Sequence, residues 1–119
     1  MKKILIVEDD PDLQHIIRSV LKRAGFEVEV HSDGRSLMES FAIPDLFIFD
    51  IELPFMNGLD LCRKMKAEVQ TSHIPVLIVS ASASLLTQAK EACADASLAK
   101  PIDAKDLVAQ VNMLLQPVR

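Results

Sequence analysis

Residues 4–12 read Ile-Leu-Ile-Val-Glu-Asp-Asp-Pro-Asp, four aliphatics running directly into three carboxylates. An unbroken aliphatic run of this length suits a strand buried on both faces, in the middle of a parallel sheet. The acids that end it, Glu8, Asp9 and Asp10, repel one another. At ~4 Å and an effective dielectric of about 20, a like-charged pair costs about 4 kcal/mol. Either the side chains diverge or a positive charge sits among them.

Two more apolar runs follow, Leu46–Phe49 and Val76–Val79. Glu27–Val30 alternates acid and valine, as an edge strand with one wet face does, and Ser97–Ala99 is a shorter candidate before Lys100-Pro101. Helical stripes lie between them. Leu13, Ile16, Ile17, Val20 and Leu21 share one face, and Gly25 stands where such a helix ends. Leu59, Cys62, Met65 and Val69 form a second stripe. Leu107, Val111, Leu114 and Leu115 form a third, which Asp103 is placed to cap. Ser36–Phe41 and Leu85–Cys93 are shorter helical candidates.

The sum is (βα)5, an α/β class chain with a doubly wound five-stranded parallel sheet and helices on both faces. Right-handed crossovers and the alternating edge strand favour the order 2-1-3-4-5. No repeat or linker divides the chain, which reads as one domain over residues 1–119. In that order the winding reverses between strands 1 and 3, and ligands bind at such a switch point, outside the carboxyl ends of the strands. Strand 1 ends at Glu8-Asp9 and strand 3 at Asp50, so the acids meet.

Asp10 precedes Pro11 and a helical stripe, which is the signature of an N-cap followed by proline. Glu8, Asp9 and Asp50 remain as hard oxygen donors suited to a divalent cation such as Mg2+, although acids also simply solvate a strand end. Strand 4 closes in Ser80 and strand 5 in Lys100. Each has an ordinary reading, as a helix cap and a surface lysine. Together on one sheet edge they suit a phosphoryl group, whose oxygens a metal, a lysine and a hydroxyl would neutralise while a carboxylate attacks phosphorus.

Composition narrows the classes. Half the residues are hydrophobic and the net charge is −4, with no Lys/Arg cluster, which argues against a nucleic-acid surface. Lys2-Lys3 followed by four aliphatics is too short for a signal peptide, and no stretch approaches the roughly 20 apolar residues of a membrane span. The two cysteines, Cys62 and Cys93, form no CxxC and read as small core or half-buried residues in a reducing compartment, so a cytoplasmic protein is expected. His15, His31 and His73 are scattered and form no ligand set, and His15 faces away from its stripe.

The chain resembles response-regulator receiver domains over essentially its whole length. ILIVEDDPD resembles the family's first strand with its acidic pair. PDLFIFDIELPFMNGLDL resembles the phosphoacceptor segment D-x-x-x-P-x-x-x-G, on Asp50, Pro54 and Gly58. IPVLIVSA carries the hydroxyl at Ser80, and ADASLAKPI the Lys100-Pro101 pair. The fold this implies is the flavodoxin-like receiver fold, whose strand order is a recognised type rather than a deduction from this chain alone.

The resemblance implies that Asp50 accepts a phosphoryl group from a sensor histidine kinase or histidine phosphotransfer protein. It implies Mg2+ on Asp9, Asp50 and the backbone carbonyl of Glu52, with Glu8 acting through water. Ser80 and Lys100 would bind the phosphoryl oxygens, and the Lys100-Pro101 bond would be cis. The partners implied are the donor and a downstream protein, with a phosphorylation-dependent dimer among the expected assemblies. Neither nucleic acid nor membrane is expected as a direct partner. Such a chain is a switch that catalyses its own phosphorylation and dephosphorylation, not a turnover enzyme. The Glu52 side chain, at the site mouth, would either tune hydrolysis of the acyl phosphate or be solvated.

Two departures stand out. Ser97 occupies the position where the family carries Tyr or Phe, and the chain has no Tyr or Trp. Ser80 and Lys100 are 20 apart, slightly short of the common interval, and Cys93 stands where a glycine often ends the fourth helix. The face formed by helix 4, strand 5 and helix 5 is therefore expected to be altered, with a different partner or dimer mode. The alternative is a degenerate receiver acting as a constitutive interaction module. A flavodoxin-like cofactor protein would need a Ser/Thr/Gly-rich phosphate loop where this chain has EDDPD. An aspartate-nucleophile phosphatase is suggested only superficially by the acid-x-acid pair Asp50 and Glu52, because the nucleophile would sit in the third strand and no cap domain is expected.

Overall fold

The computed structural model describes residues 1–91 and 94–116, and the side chains of residues 90 and 91 fall outside that description. Its elements are β1 (Lys3–Val7), α1 (Pro11–Arg23), β2 (Glu27–His31), α2 (Arg35–Glu39) and β3 (Leu46–Asp50). There follow α3 (Gly58–Ala67), β4 (Val76–Ser80), α4 (Ala83–Glu91), β5 (Ala96–Ala99) and α5 (Ala104–Leu114). The strands are parallel in the order β2-β1-β3-β4-β5. The chain has the flavodoxin-like receiver fold.

Strands β3 and β4 are buried at every residue and β1 at all but Lys3, as uninterrupted apolar runs require when helices cover both faces. Alternate residues supply two cores. Leu5, Val7, Phe47, Phe49 and Ile78 pack with Leu37, Leu61, Cys62 and Met65 beneath α2 and α3. Ile4, Ile6, Ile48 and Val79 pack with Ile17, Leu21, Leu107 and Val111 beneath α1 and α5. The register sets Val7 beside Phe49, Asp50 beside Val79 and Ser80 beside Ala99, so the strands finish level at one edge.

Capping follows local chemistry. The Asp10 side chain accepts from the Asp12 amide ahead of Pro11, Asn57 accepts from the Asp60 amide, and Asp103 accepts from the amides of Lys105 and Asp106. At the end of α1 the Gly25 amide donates to the Lys22 carbonyl and the Phe26 amide to the Leu21 carbonyl. Gly25, at φ +98°, takes the left-handed position that this closure needs.

Several sequence expectations are corrected. Ile16 is 53% exposed, because α1 seats on Ile17 and Leu21 with Leu13 and Val20 packed beside them, and Ile16 falls at the edge of that stripe. Val69 is 91% exposed, because α3 ends at Ala67 and Glu68 is already extended (φ −96°, ψ 136°). Helix α2 begins one residue earlier and ends two earlier than Ser36–Phe41, and the Phe41 ring instead meets Phe47 edge-on at 5.9 Å between centroids. Helix α4 begins at Ala83, β5 gains Ala96, and Cys93 lies outside the described residues.

Candidate functional site

The acids of β1 and β3 converge. Carboxylate oxygens of Glu8, Asp9 and Asp50 lie within 4.8 Å of one another, with Glu8 and Asp50 buried and Asp9 exposed. Main-chain ties hold the loops that carry them: the Glu8 amide donates to the His31 carbonyl and the Ile51 amide to the Val79 carbonyl. The Gln14 amide group, on α1, donates to the Glu8 carbonyl at 2.5 Å, a support with no motif to announce it.

The positive charge demanded by this crowding comes from the residue that follows β5. Lys100 Nζ stands 3.1 Å from Glu8 Oε1 and 3.2 Å from Asp50 Oδ2. Its height is fixed by its own amide, which donates to the Ser80 carbonyl at 2.9 Å, and the peptide bond to Pro101 is cis. One lysine does not satisfy two acids. Burial pushes the Glu8 carboxyl up to about 7; the Asp10 amide pulls it back, the Asp50 charge pushes it further up, and Lys100 pulls it down. Burial draws Lys100 down, yet the close approach of Glu8 and the charges of both acids raise it overall. Asp50 Oδ1 is buried with no hydrogen-bond partner, and Glu8 Oε1 meets Lys100 only as a charge, outside hydrogen-bond geometry. Buried carboxylate oxygens left in this state are costly. Three hard oxygen donors, two of them with unfilled capacity and one open to solvent, fit a small divalent cation that keeps several waters.

Ser80, fully buried, accepts from the Ser82 amide at 3.0 Å and donates to Glu52 Oε1 at 3.4 Å. The cap of α4 falls to Ser82, whose hydroxyl accepts from the Leu85 amide. Glu52 is exposed and turns its side chain toward Ser80.

The loop from β3 to α3 is shaped by Gly58. Its amide donates to the Ile51 carbonyl, and a Cβ there would lie 2.1 Å from the Asp50 carbonyl oxygen. Only glycine lets α3 start so close behind Asp50. Two features of this rim carry no sequence signature. Phe55 has φ +71°, and the Arg35 guanidinium lies 3.6 Å over its ring. His31, one of the scattered histidines, is held between Glu29 (2.6 Å) and Ser36 (2.5 Å) at the end of β2.

A doubly wound parallel sheet with three acids at its switch point, and a hydroxyl and a lysine from the neighbouring strand ends, defines a receiver-type signalling domain. The sequence model of the response regulator receiver domain matches residues 4–112, and the chain belongs to that family. It is 34% identical over 119 residues to the DNA-binding response regulator MtrA of Mycolicibacterium smegmatis, covering 97% of this chain and 51% of that protein. The chain spans about half the length of the curated relatives it matches.

Among solved structures it resembles the receiver domain of a signal transduction histidine kinase from Syntrophus aciditrophicus. The TM-score is 0.88 with 31% identity, over 97% of this chain and 90% of that one. It also resembles the receiver domain of sensor histidine kinase PA1611 from Pseudomonas aeruginosa, described with a magnesium ion coordinated in its active site cleft. That likeness has a TM-score of 0.85 and 26% identity, over 96% of this chain and 97% of that one. Among the described residues no helix is long and apolar enough to cross a membrane.

Proposed function

We propose that the chain is a phosphoacceptor switch in a two-component system or phosphorelay, acting as one unit over residues 1–119 in the cytoplasm. The observation that carries this is Asp50 itself, a carboxylate 3% exposed with Oδ2 on Lys100 and Oδ1 without a partner. The Asp50 carboxylate attacks phosphorus, the bond from phosphorus to the donor histidine nitrogen breaks, and the imidazole leaves with the electron pair. Lys100 moves from carboxylate to phosphoryl oxygen, keeping its charge beside a charge. Ser80 donates to another phosphoryl oxygen once its hydroxyl turns from Glu52. Asp9, Asp50 and the Glu52 carbonyl, with Glu8 through water, would hold Mg2+, which when bound supplies charge neutralisation at the phosphoryl oxygens.

The donor is a sensor histidine kinase or histidine phosphotransfer protein, and the acyl phosphate alters binding of a downstream protein. A constitutive interaction module is the second reading, favoured by Ser97, which is exposed where the resemblance expects an aromatic. Intact mass after incubation with phosphoramidate and Mg2+ separates them. A single phosphoryl adduct, absent without metal and absent in Asp50→Asn, is expected; no adduct on folded protein would favour the module.

A further inference from the structure

We infer that Phe55, backed by Arg35, is the specificity-determining contact by which this chain recognises the protein that brings phosphoryl to Asp50; the inference rests on the phosphoacceptor reading above. Phe55 lies in the segment that joins Asp50 to α3, and the residue is 71% exposed. The amide of Met56 donates to the carbonyl of Pro54 at 2.8 Å, so Phe55 is the middle residue of a three-residue turn with φ +71°. That turn is rare and unfavourable for a bulky side chain, and glycine would adopt it without strain. An exposed aromatic on strained backbone gains nothing from burial, which points to a role outside the isolated fold.

The ring is also held in place. Arg35 sits 3.6 Å over it, and Arg35 is itself anchored through Nε and a terminal nitrogen on Asp33. Gly34, next in chain, packs where a Cβ would touch Leu61 and Met56, which fixes the β2–α2 corner against the Phe55 loop. A rigid aromatic with an Arg side chain still 64% exposed is the composition of an interface anchor. The occupant follows from access. Asp50 is sealed at the base of the edge, so a protein donor must press its histidine down past the rim that Phe55 stands on. The donor surface that fits offers an apolar pocket for the ring beside a carboxylate for Arg35.

The test compares two donors on Phe55→Ala, Phe55→Gly and Arg35→Ala chains: phosphoramidate with Mg2+, and the phosphorylated sensor kinases and phosphotransfer proteins of the chain's own cell. Phosphoramidate rates are expected to stay within about twofold, while KM for the protein donor rises about 10- to 100-fold in Phe55→Ala and less in Arg35→Ala. Phe55→Gly is expected to melt no lower than the parent, so its loss of transfer is not unfolding. Equal loss with both donors would overturn the inference, as would unchanged KM for the protein donor. Transfer to the parent chain from phosphoramidate but from no protein donor would overturn it as well. No adduct from phosphoramidate on the parent chain would instead bring down the phosphoacceptor reading beneath it.

Discussion

Two regions of the sheet are built to different tolerances, its carboxyl edge and the flank between the start of β5 and the end of α5. Over β1, β3 and β4, Glu8, Asp50 and Ser80 are all but sealed, Lys100 bridges two acids, and Gly58 presses on the Asp50 main chain. Over β5, burial merely alternates and Ser97 is exposed beside a hollow of about 320 Å³ that Ala94, Asp95, Gln110 and Met113 also line. A close-packed region transmits any displaced atom, whereas a hollow absorbs it. The cluster of acids, hydroxyl and lysine is thus placed by several constraints at once, and the α5 side has room to change.

Gly58→Ala tests the tight half most severely. The added carbon would meet backbone, not a side chain that can rotate away, so destabilisation of about 3 kcal/mol or more is expected in urea unfolding. Gly25→Ala is the control. Nothing lies within 4 Å of that Cβ and only the positive φ opposes it, so about 1–2 kcal/mol is expected. Equal losses would break the distinction between a glycine required by packing and one required by conformation.

Lys100→Met comes next. It leaves two buried acids facing each other, and with the lysine side chain 22% exposed the loss is expected at about 2–3 kcal/mol. Thermal scans with and without Mg2+ sharpen the comparison, because a cation shared by the same acids recovers more stability in the variant than in the parent. Identical Mg2+ effects in both would show that the acids hold no common cation.

Much of the tight half was legible in the sequence because its logic is local. Uninterrupted apolar runs require burial, acids follow them directly, and strand order then forces the acids together. The resemblance suggested roles for Ser80 and Lys100, and their positions at consecutive strand ends are a matter of counting. What escaped depends on contacts between distant segments. Arg35 reaches Phe55 across 20 residues with no periodicity to betray it, and Gln14 supports Glu8 from an otherwise ordinary helix face. Val69 fitted the stripe of α3 by spacing, but spacing does not say that the helix has already ended. His31 looked isolated because its partners, Glu29 and Ser36, meet it only once β2 and α2 are in place.

Titration probes the tight half more gently. The Glu8 carboxyl rises from its ordinary 4.5 to about 7 in the fold. Between those values the folded chain keeps a proton that the unfolded chain has released, so stability falls as pH rises and levels off above about 7. Glu29, held low by His31 and then Lys3, acts in the opposite sense and only below its ordinary range. Urea midpoints across pH 5–8 should therefore fall in the parent relative to Glu8→Gln, by up to a few kcal/mol at about 1.4 kcal/mol per pH unit. Mg2+ should flatten the difference by favouring the ionised carboxylate. Parallel profiles without Mg2+ would mean that Glu8 is not strained by its burial.

Ser97→Phe makes the smallest change and is the most direct probe of the loose half. Ser97 pairs with Ile78 in register, one pair short of the level where Val79 meets Leu98 and two short of Ser80 and Ala99. An aromatic there enters space bordered by Ala94 and Met113, and the area it covers is partly offset by ring left in solvent. A stability change within about 1 kcal/mol is expected from the unfolding midpoint. The phosphoramidate rate is expected to stay within about twofold, because sites without shared partners act independently. A direct route by which they could couple is the Lys100 amide, which donates to the Ser80 carbonyl and so ties the end of β5 to the end of β4. A rate that moved several-fold would mean that this bond carries β5 packing into the charge cluster, and the two halves would then be one device.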